Sequence, residues 1–296
     1  MSLAPPDTRA GDVLAVAGLI RDGLRGGTLG RMTVPMRQVV DEGHGVKFVS
    51  MPAVSLDHGL YIAKIATIGN GPGPTVTSVV PVFSTRTGNL LAVLDGAAVT
   101  NLKCAAVTAV VTDHCAARDS ADLAIIGSGV QAWQQYLGVS AVREITRVRV
   151  HSRTPAHAEV LCARIRAAGR ATAHVCASAA EATSGADVVA TATTSTSPLP
   201  IATDLPAHVH INCMGAHTPQ SRELTRELLA AGPLIVESIE TAVAEAGEIH
   251  RTAIDLESLE TGEHPGLDER PTVFSSTGHA ALDLVTCAHL VAHPNH

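Results

Sequence analysis

A glycine-rich segment gives the clearest chemical signal in this 296-residue chain. Within LAIIGSGVQA, Gly127, Gly129 and Ala132 match the spacing G-x-G-x-x-G/A between a predicted strand and a predicted helix. The first glycine permits a tight turn, the second allows a pyrophosphate to approach the backbone, and the small third residue allows helix and strand to pack closely. The segment therefore predicts dinucleotide binding at a helix N-terminus, although a purely structural turn can produce the same spacing.

The end of the next predicted strand bears on which dinucleotide is bound. NAD sites have an Asp or Glu about 20 residues after the glycine motif to hold the ribose hydroxyls. This sequence has Ser152, Arg153 and Thr154 there and no carboxylate. The Arg153 guanidinium suits a phosphate, whereas Thr154 can equally begin a helix that has Pro155 in its first turn. The pattern favours NADPH, with NADH as the alternative.

The elements that must position these residues change character along the chain. The first third mixes helical spacing with short β-rich runs, which indicates an antiparallel or mixed sheet. We predict helices over 13–24 and 97–117, strands over 46–52, 60–68 and 75–83, and a turn at 71–74.

From residue 121 onward, short apolar runs alternate with helical segments, as in a doubly wound parallel sheet. Strands are predicted over 121–126, 147–150, 171–175, 187–191, 209–213 and 234–237, and a final helix over 278–292. The predicted class is α/β, with a Rossmann-type doubly wound parallel sheet inserted in an α+β domain. Residues 119–278 would form the inserted domain, and 1–118 with 279–296 the other.

Composition excludes several classes of protein. A formal charge of −7 and only three Phe, two Tyr and one Trp argue against nucleic-acid binding. The apolar runs are too short to span a membrane, and the N-terminus lacks the features of a secretory signal. Six scattered cysteines indicate reduced thiols in a cytoplasmic protein. Neither the 15 histidines nor the cysteines have the spacing of a metal site, and we interpret Glu237, Glu245 and Glu248 as a helix face and its end.

Eight motifs in the same order carry a resemblance to the ornithine cyclodeaminase/mu-crystallin family over nearly the whole chain. They are VPMR (34–37), MP (51–52), YIAKIATIGN (61–70), LLAVLDG (90–96), IIGSGVQA (125–132), SRT (152–154), HINCMGA (210–216) and VFSSTGHA (273–280). The resemblance implies a Rossmann domain inserted in a dimerising substrate domain. It also implies reduction of imines, or deamination of amino acids, through NAD(P).

The resemblance also implies roles for particular residues. Arg37 would contact the substrate carboxylate, Met51 would line the substrate site, and Lys64 would be the active-site lysine. Lys64 is moreover a lone cation in the apolar run IAKIAT, so it needs a counter-charge or a catalytic task unless its ammonium reaches water at a sheet edge.

Two positions depart from the family pattern. Lys103 stands where a second arginine holds the carboxylate, so the charge is kept and the bidentate fork is lost. His217 stands where the cyclodeaminases have an aspartate; it could act as an acid or base near neutral pH, or line the site.

The glycine motif and the resemblance together predict a set of cofactor-binding residues. They are Gly127, Ser128, Gly129, Val130, Gln131, Ser152, Arg153, Thr154, Thr191, Ala192, Thr193, Met214 and Gly215. A homodimer is expected through the sheet of the first third and the small-residue helices over 97–117 and 278–292.

The sequence predicts an NADPH-dependent reductase of a small cyclic imine or ketimine. An amino-acid cyclase of the ornithine cyclodeaminase type and an amino-acid dehydrogenase are the enzymatic alternatives, and His217 in place of aspartate argues against cyclisation. A non-catalytic protein that binds NADPH or a small molecule is the third alternative; the presence of Arg37 and Lys64 argues against it.

Overall fold

The fold is described for residues 8–69, 75–215, 218 and 222–293 of a computed structural model. The chain divides into two compact units, residues 1–103 with 278–296 and residues 104–277. The predicted domain boundary at 118/119 lies just after a long helix, Gly96–Cys115. The division between the two units after Lys103 lies within that helix. The predicted turn at 71–74 and the predicted acid or base His217 lie outside the described residues.

The first unit contains an antiparallel sheet of five strands, in the order β1-β2-β3-β4-β5. Its helix α1 ends at Gly26, as the two glycines at positions 26 and 27 predict. The elements from the N-terminus are α1 (Ala10–Arg25), β1 (Gln38–Asp41), β2 (Val46–Ser55), β3 (Leu60–Gly69), β4 (Val76–Ser84), β5 (Leu90–Asp95) and α2 (Gly96–Cys115).

Side chains of β2 and β3 alternate between a buried and a more exposed face, because successive residues of a strand point to opposite sides of a sheet. Met51 and Lys64 lie opposite each other on the buried face, and Ile65 points to the other face. The C-terminal helix α9 (Ala280–Ala292) packs against β2 and β3. This packing places the start of α9 in the same unit as Lys64.

The second unit contains a parallel sheet of eight strands. Its elements are β6 (Asp122–Ile126), α3 (Val130–Ser140), β7 (Arg147–His151), α4 (Pro155–Ala167), β8 (Thr172–Val175), α5 (Ala179–Thr183), β9 (Val188–Thr191), β10 (His210–Cys213), α6 (Arg226–Leu229), β11 (Leu234–Val236), α7 (Ile239–Ala246), β12 (Ile254–Asp255), α8 (Leu256–Thr261) and β13 (Thr272–Ser275).

The strand order is β12-β11-β13-β10-β9-β6-β7-β8. The chain therefore runs outward from β6 through β7 to β8, returns to β9 beside β6, and continues in the opposite direction. This reversal is the topological switch point of a doubly wound sheet, where ligands bind at the carboxyl ends of the strands. The predicted α/β class with a doubly wound parallel sheet is confirmed.

Several elements and one interpretation were not predicted correctly. Strands β1, β5, β12 and β13 were missed, and in β13 the apolar run is only two residues long, between a threonine and a serine. The interpretation of Glu237 as part of a helix face is wrong. Glu237 follows β11 and is buried, and its carboxylate accepts hydrogen bonds from Ser276 Oγ (2.5 Å) and from the backbone N–H of Thr277 (3.1 Å).

None of the described helices is both long enough and apolar enough to cross a membrane. Within the same residues, no group of three or more His, Cys, Asp and Glu side chains could hold a metal ion. The six cysteines are buried, and none of them forms a disulfide.

Candidate functional site

The glycine loop lies at the switch point of the parallel sheet. Gly127 directly follows β6 with φ +117°, and its N–H donates to the carbonyl of His151 at the end of β7 (2.9 Å). A Cβ at this position would overlap the carbonyl oxygen of Ala192, which follows β9. The fold itself therefore requires glycine at 127, whether or not a ligand is bound.

Gly129 has a different reason to be glycine. It is the exposed N-cap residue of α3, with φ −79°, and a Cβ built there would meet no protein atom within 4 Å. No side chain caps this helix, so its first N–H groups are available to a ligand. Nothing in the protein excludes a side chain at 129, so the open space fits the close approach of a pyrophosphate to the backbone.

The other residues of the loop divide between core and surface. Ala132 is fully buried, as expected for the small third residue of the motif, whereas Val130 is 62% exposed and Gln131 is partly buried. Ser128 Oγ donates to Ser152 Oγ (2.8 Å), which links the loop to the end of β7.

Arg153 and Thr154 lie on the surface immediately after β7. Thr154 is the N-cap residue of α4 and Pro155 follows it, but the Thr154 side chain makes no capping hydrogen bond. The segment Ser152–Thr154 therefore presents a guanidinium and two hydroxyls without a carboxylate. This set suits a phosphate ester better than a pair of ribose hydroxyls.

A buried carboxylate joins the ends of β9 and β10. Glu223, with no exposed surface, accepts hydrogen bonds from Thr191 Oγ1 (2.8 Å), from Thr193 N (2.7 Å) and Oγ1 (2.5 Å), and from Gly215 N (2.7 Å). A Cβ at Gly215 would overlap this carboxylate. Burial, followed by the negative charge of Glu223, raises the pKa of the nearby Cys213 thiol well above its usual value, so the thiol stays neutral.

Glu223 thus brings together three of the predicted cofactor residues, and sequence reasoning missed it. Two further predicted residues lie beside them: the Ala192 N–H donates to Ile126 O (2.8 Å) and the Met214 N–H to Thr191 O (2.9 Å). No local pattern around Glu223 signals this role, because its partners lie 8–32 residues away.

The first unit contains a separate cluster of buried charges. Lys64 is 8% exposed on the inner face of β3, and its Nζ lies 3.5 Å from Oδ1 of Asp283, in the first turn of α9. Met51, the cross-strand neighbour of Lys64, is also buried. The alternative of a sheet-edge lysine with its ammonium in water is therefore wrong, and the counter-charge is a carboxylate.

Two further cations lie around Gly278, just before α9. The Arg37 guanidinium donates to the Gly278 carbonyl (Nη2–O 3.0 Å). A Cβ on Gly278 would lie 3.2 Å from Lys103 Nζ and 3.9 Å from Arg37 Nη2, and Lys103 is 4% exposed. Gly278 has φ +77°, a conformation that favours glycine. The segment that begins α9 therefore carries Asp283 and is flanked by Arg37 and Lys103.

The chemistry of this arrangement follows from its charges. Arg37, Lys103 and Lys64 are cations in buried or half-buried positions, and cationic side chains so placed suit an anionic ligand. Sequence reasoning identified the three cations and missed Asp283. The available signal was a lone acid within the apolar helix ALDLVTCAHL, the same kind of signal that Lys64 gives within its strand.

Comparison with known proteins agrees with this geometry. The sequence model of the Ornithine cyclodeaminase/mu-crystallin family matches residues 10–293. Ketimine reductase mu-crystallin of Rattus norvegicus is 34% identical over 265 residues, which cover 86% of this chain and 83% of the relative. A Delta(1)-pyrroline-2-carboxylate reductase of Bacillus cereus is 33% identical over 230 residues, 73% of this chain and 70% of that protein.

A solved structure extends the similarity to the fold. Thermococcus litoralis Delta(1)-pyrroline-2-carboxylate reductase, in complex with NADH and L-proline, matches with a TM-score of 0.86 and 25% identity, covering 95% of this chain and 93% of that chain. The family match spans both units, including the glycine loop and the segment that carries Lys64, Gly278 and Asp283. This chain belongs to the ornithine cyclodeaminase/mu-crystallin family.

Proposed function

We propose that this protein is an NADPH-dependent reductase of a small cyclic imine or ketimine that carries a carboxylate. The observation that carries the proposal is the buried cluster of Arg37, Lys103 and Lys64 around the start of α9, in the same chain as a glycine loop with space for a pyrophosphate. The names of the two reductase relatives and the proline bound in the similar structure support the substrate class.

Arg37 and Lys103 bind the substrate carboxylate in this proposal. Both lie close to Gly278: Arg37 donates to its carbonyl, and a Cβ there would lie 3.2 Å from Lys103 Nζ. Lys103 contributes a compact point charge and not the planar fork of arginine. The carboxylate is therefore held by charge at Lys103 and by directed hydrogen bonds at Arg37.

Lys64 supplies the proton for the substrate nitrogen. Neighbouring cations disfavour a protonated iminium, so the imine binds as the neutral base and needs a donor. When bound, NADPH supplies a hydride to the carbon of the C=N bond. The π electrons of that bond move to nitrogen, the nitrogen takes a proton from the Lys64 ammonium, and solvent reprotonates the lysine.

The cofactor is held by the second unit. Gly129 and the start of α3 would hold its pyrophosphate, and Arg153, with Ser152 and Thr154, would bind the phosphate that distinguishes NADPH from NADH. Val130 and Gln131 complete this side of the site. Thr191, Ala192, Thr193, Met214 and Gly215, brought together around Glu223, form the opposite side.

Purified protein tests the proposal directly. We expect oxidation of NADPH, followed by absorbance, on addition of Δ1-pyrroline-2-carboxylate, and no ammonia release from ornithine. Ammonia release at an ordinary turnover of about 1 per second or more would overturn the reductase in favour of a cyclodeaminase. NADPH binding without turnover of cyclic imines would favour a non-catalytic binding protein.

We also propose a homodimer formed through the outer face of the antiparallel sheet. Val40, Phe48, Ile65, Val79 and Val93 lie on that face, are 42–51% exposed, and form an apolar row across all five strands. Residues 102–112 and most of α9 are already buried within the chain, so the sheet face and not these helices supplies the contact. A second copy would cover this row.

Sedimentation at micromolar concentration tests the assembly. We expect a dimer that Phe48→Asp converts to a monomer, whereas Leu56→Asp, at an exposed turn after β2, leaves it intact. A stable monomer of the unmodified protein would overturn the proposal. Six buried cysteines without a disulfide support a reducing, cytoplasmic location.

A further inference from the structure

The partner of Lys64 in the first unit has an unusual environment. The Asp283 side chain has no exposed surface, and its Oδ1 lies 3.5 Å from Lys64 Nζ. Neither carboxylate oxygen has a hydrogen-bond partner among the residues that the structure describes. An ammonium and the start of a helix are therefore the groups that offset the loss of hydration of this carboxylate.

Such a pair is a poor way to stabilise a fold. Removing two charges from water commonly costs as much as their attraction returns, and apolar residues of similar volume often serve equally well. Asp283 lacks the hydrogen bonds that accompany the buried carboxylates of Glu223 and Glu237. The arrangement is better explained by what Asp283 does to Lys64.

Other ionisable groups lie around the pair. Arg37 and Lys103 lie near Gly278, five residues before Asp283, so two more cationic side chains lie close to the start of α9. Cys287 lies one turn further along the helix. Burial, and then the charge of Asp283, raise the pKa of this thiol, so it remains neutral.

We propose that Asp283 is a positioning residue that holds the Lys64 ammonium in place on the inner face of the sheet. This inference rests on the proposed imine reduction, in which Lys64 gives its proton to the substrate nitrogen. Once the proton has left, the buried carboxylate favours its replacement from solvent on Lys64. Asp283 itself touches neither substrate nor cofactor.

The test compares three variants of the full-length protein. Asp283→Asn keeps the shape and removes the charge; we expect kcat for imine reduction to fall at least tenfold, with KM for the imine and Kd for NADPH changed less than twofold. Asp283→Glu should recover part of kcat. The matched control is Asp12→Asn, because Asp12 Oδ1 lies 3.4 Å from His289 Nε2 on the same helix; it should leave kcat unchanged.

A purely structural role predicts a different result. It would lower kcat by a similar factor in Asp283→Asn and Asp12→Asn, or not at all, and either result would overturn the inference.

A stability cycle tests the pair independently of activity and also covers an Asp283→Asn variant that folds poorly. Lys64→Met leaves the carboxylate unpaired and should lower Tm, and the double variant Lys64→Met/Asp283→Asn should recover part of that loss. If the change in Tm of the double variant equals the sum of the changes in the two single variants, the pairing of Lys64 with Asp283 is overturned, but the proposed function is not. Absence of imine reduction in the unmodified protein would overturn the proposed function and the catalytic role of Asp283 with it.

Discussion

The two units build their candidate sites by opposite means. In the second unit the candidate site consists mainly of backbone features: a glycine with φ +117°, an uncapped helix start and the ends of parallel strands. In the first unit the candidate site consists mainly of side chains. They come from distant parts of the chain: Arg37 contacts Gly278, which is 241 positions away.

This difference determines which substitutions each site tolerates. A backbone site depends on the absence of side chains, so its sensitive positions are glycines and its chemistry is general to phosphates. A side-chain site depends on charge balance among buried groups, so single changes of charge alter its chemistry. Variants of the two kinds should therefore fail in different ways.

The largest expected effect belongs to the side-chain site. Lys64→Met should lower kcat for imine reduction by about a hundredfold or more, the range for a general acid, and leave Kd for NADPH almost unchanged. Steady-state kinetics and a fluorescence titration of NADPH measure the two effects. Lys47→Met removes an exposed lysine of β2 that pairs with Asp41 and serves as the matched control. Retention of most of kcat would show that Lys64 is not the proton donor.

Two neighbouring glycines offer the sharpest test of the backbone site. Gly127→Ala should lower the free energy of unfolding by about 1–3 kcal/mol from its backbone conformation alone, with a further loss because its Cβ overlaps the Ala192 carbonyl. Gly129→Ala should leave unfolding unchanged and weaken NADPH binding at least tenfold, because a Cβ there meets nothing until the cofactor arrives.

Urea unfolding and NADPH titration of both glycine variants separate the two effects. Wild-type affinity in Gly129→Ala would mean that no phosphate approaches this backbone, and it would remove the main structural support for the cofactor site.

The same contrast explains what could be predicted from the sequence. The glycine loop and its strands were predicted because their signals are local: an apolar run, a glycine pair and a helix within about 20 residues. The strand β13 was missed because its sequence TVFS has a polar residue at each end, which leaves an apolar run of only two residues, although it lies between β10 and β11.

For the side-chain site of the first unit, local sequence patterns predicted fewer of the residues. Lys64 stood out as a lone cation, but the partner that decides its state, Asp283, is 219 residues away. The cations Arg37 and Lys103 were assigned through family resemblance and not through any local pattern. Which charges meet is set by the packing of α9 against the sheet, and no short window of sequence contains that information.

A smaller effect should distinguish the two dinucleotides. Arg153→Ala should remove most of the preference for NADPH over NADH, since an Arg–phosphate contact is worth about 1.5–3 kcal/mol. The comparison is the ratio of the two dissociation constants in each protein. Arg170→Ala is the control, because Arg170 precedes β8 at the amino end of the parallel sheet, away from the glycine loop. Equal affinities for both dinucleotides in the unmodified protein would contradict this role.

The smallest effect concerns how the second unit buries a titratable group without charge. His210 on β10 has no exposed surface; its Nδ1 lies 2.9 Å from Thr272 Oγ1 and its Nε2 lies 3.2 Å from Asn212 Oδ1. Burial lowers the pKa of His210 to about 3 from an ordinary value of 6.5, so the imidazole remains neutral where an unfolded chain would be protonated. In the first unit, in contrast, Lys64 and Asp283 are buried as an ion pair.

The sign of the pH dependence follows from that difference. Between pH 6.5 and 3 the unfolded chain binds more protons at this position than the folded one, so the stability from His210 is complete above pH 6.5 and is lost as the pH falls toward 3. The slope reaches about 1.4 kcal/mol per pH unit. Urea unfolding from pH 7 to 4 should show that His210→Gln flattens the decline, whereas His208→Gln, at a more exposed histidine paired with Asp187, retains it. Equal slopes in His210→Gln and the unmodified protein would mean that the imidazole is protonated inside the fold, and the neutral character of this interior would be wrong.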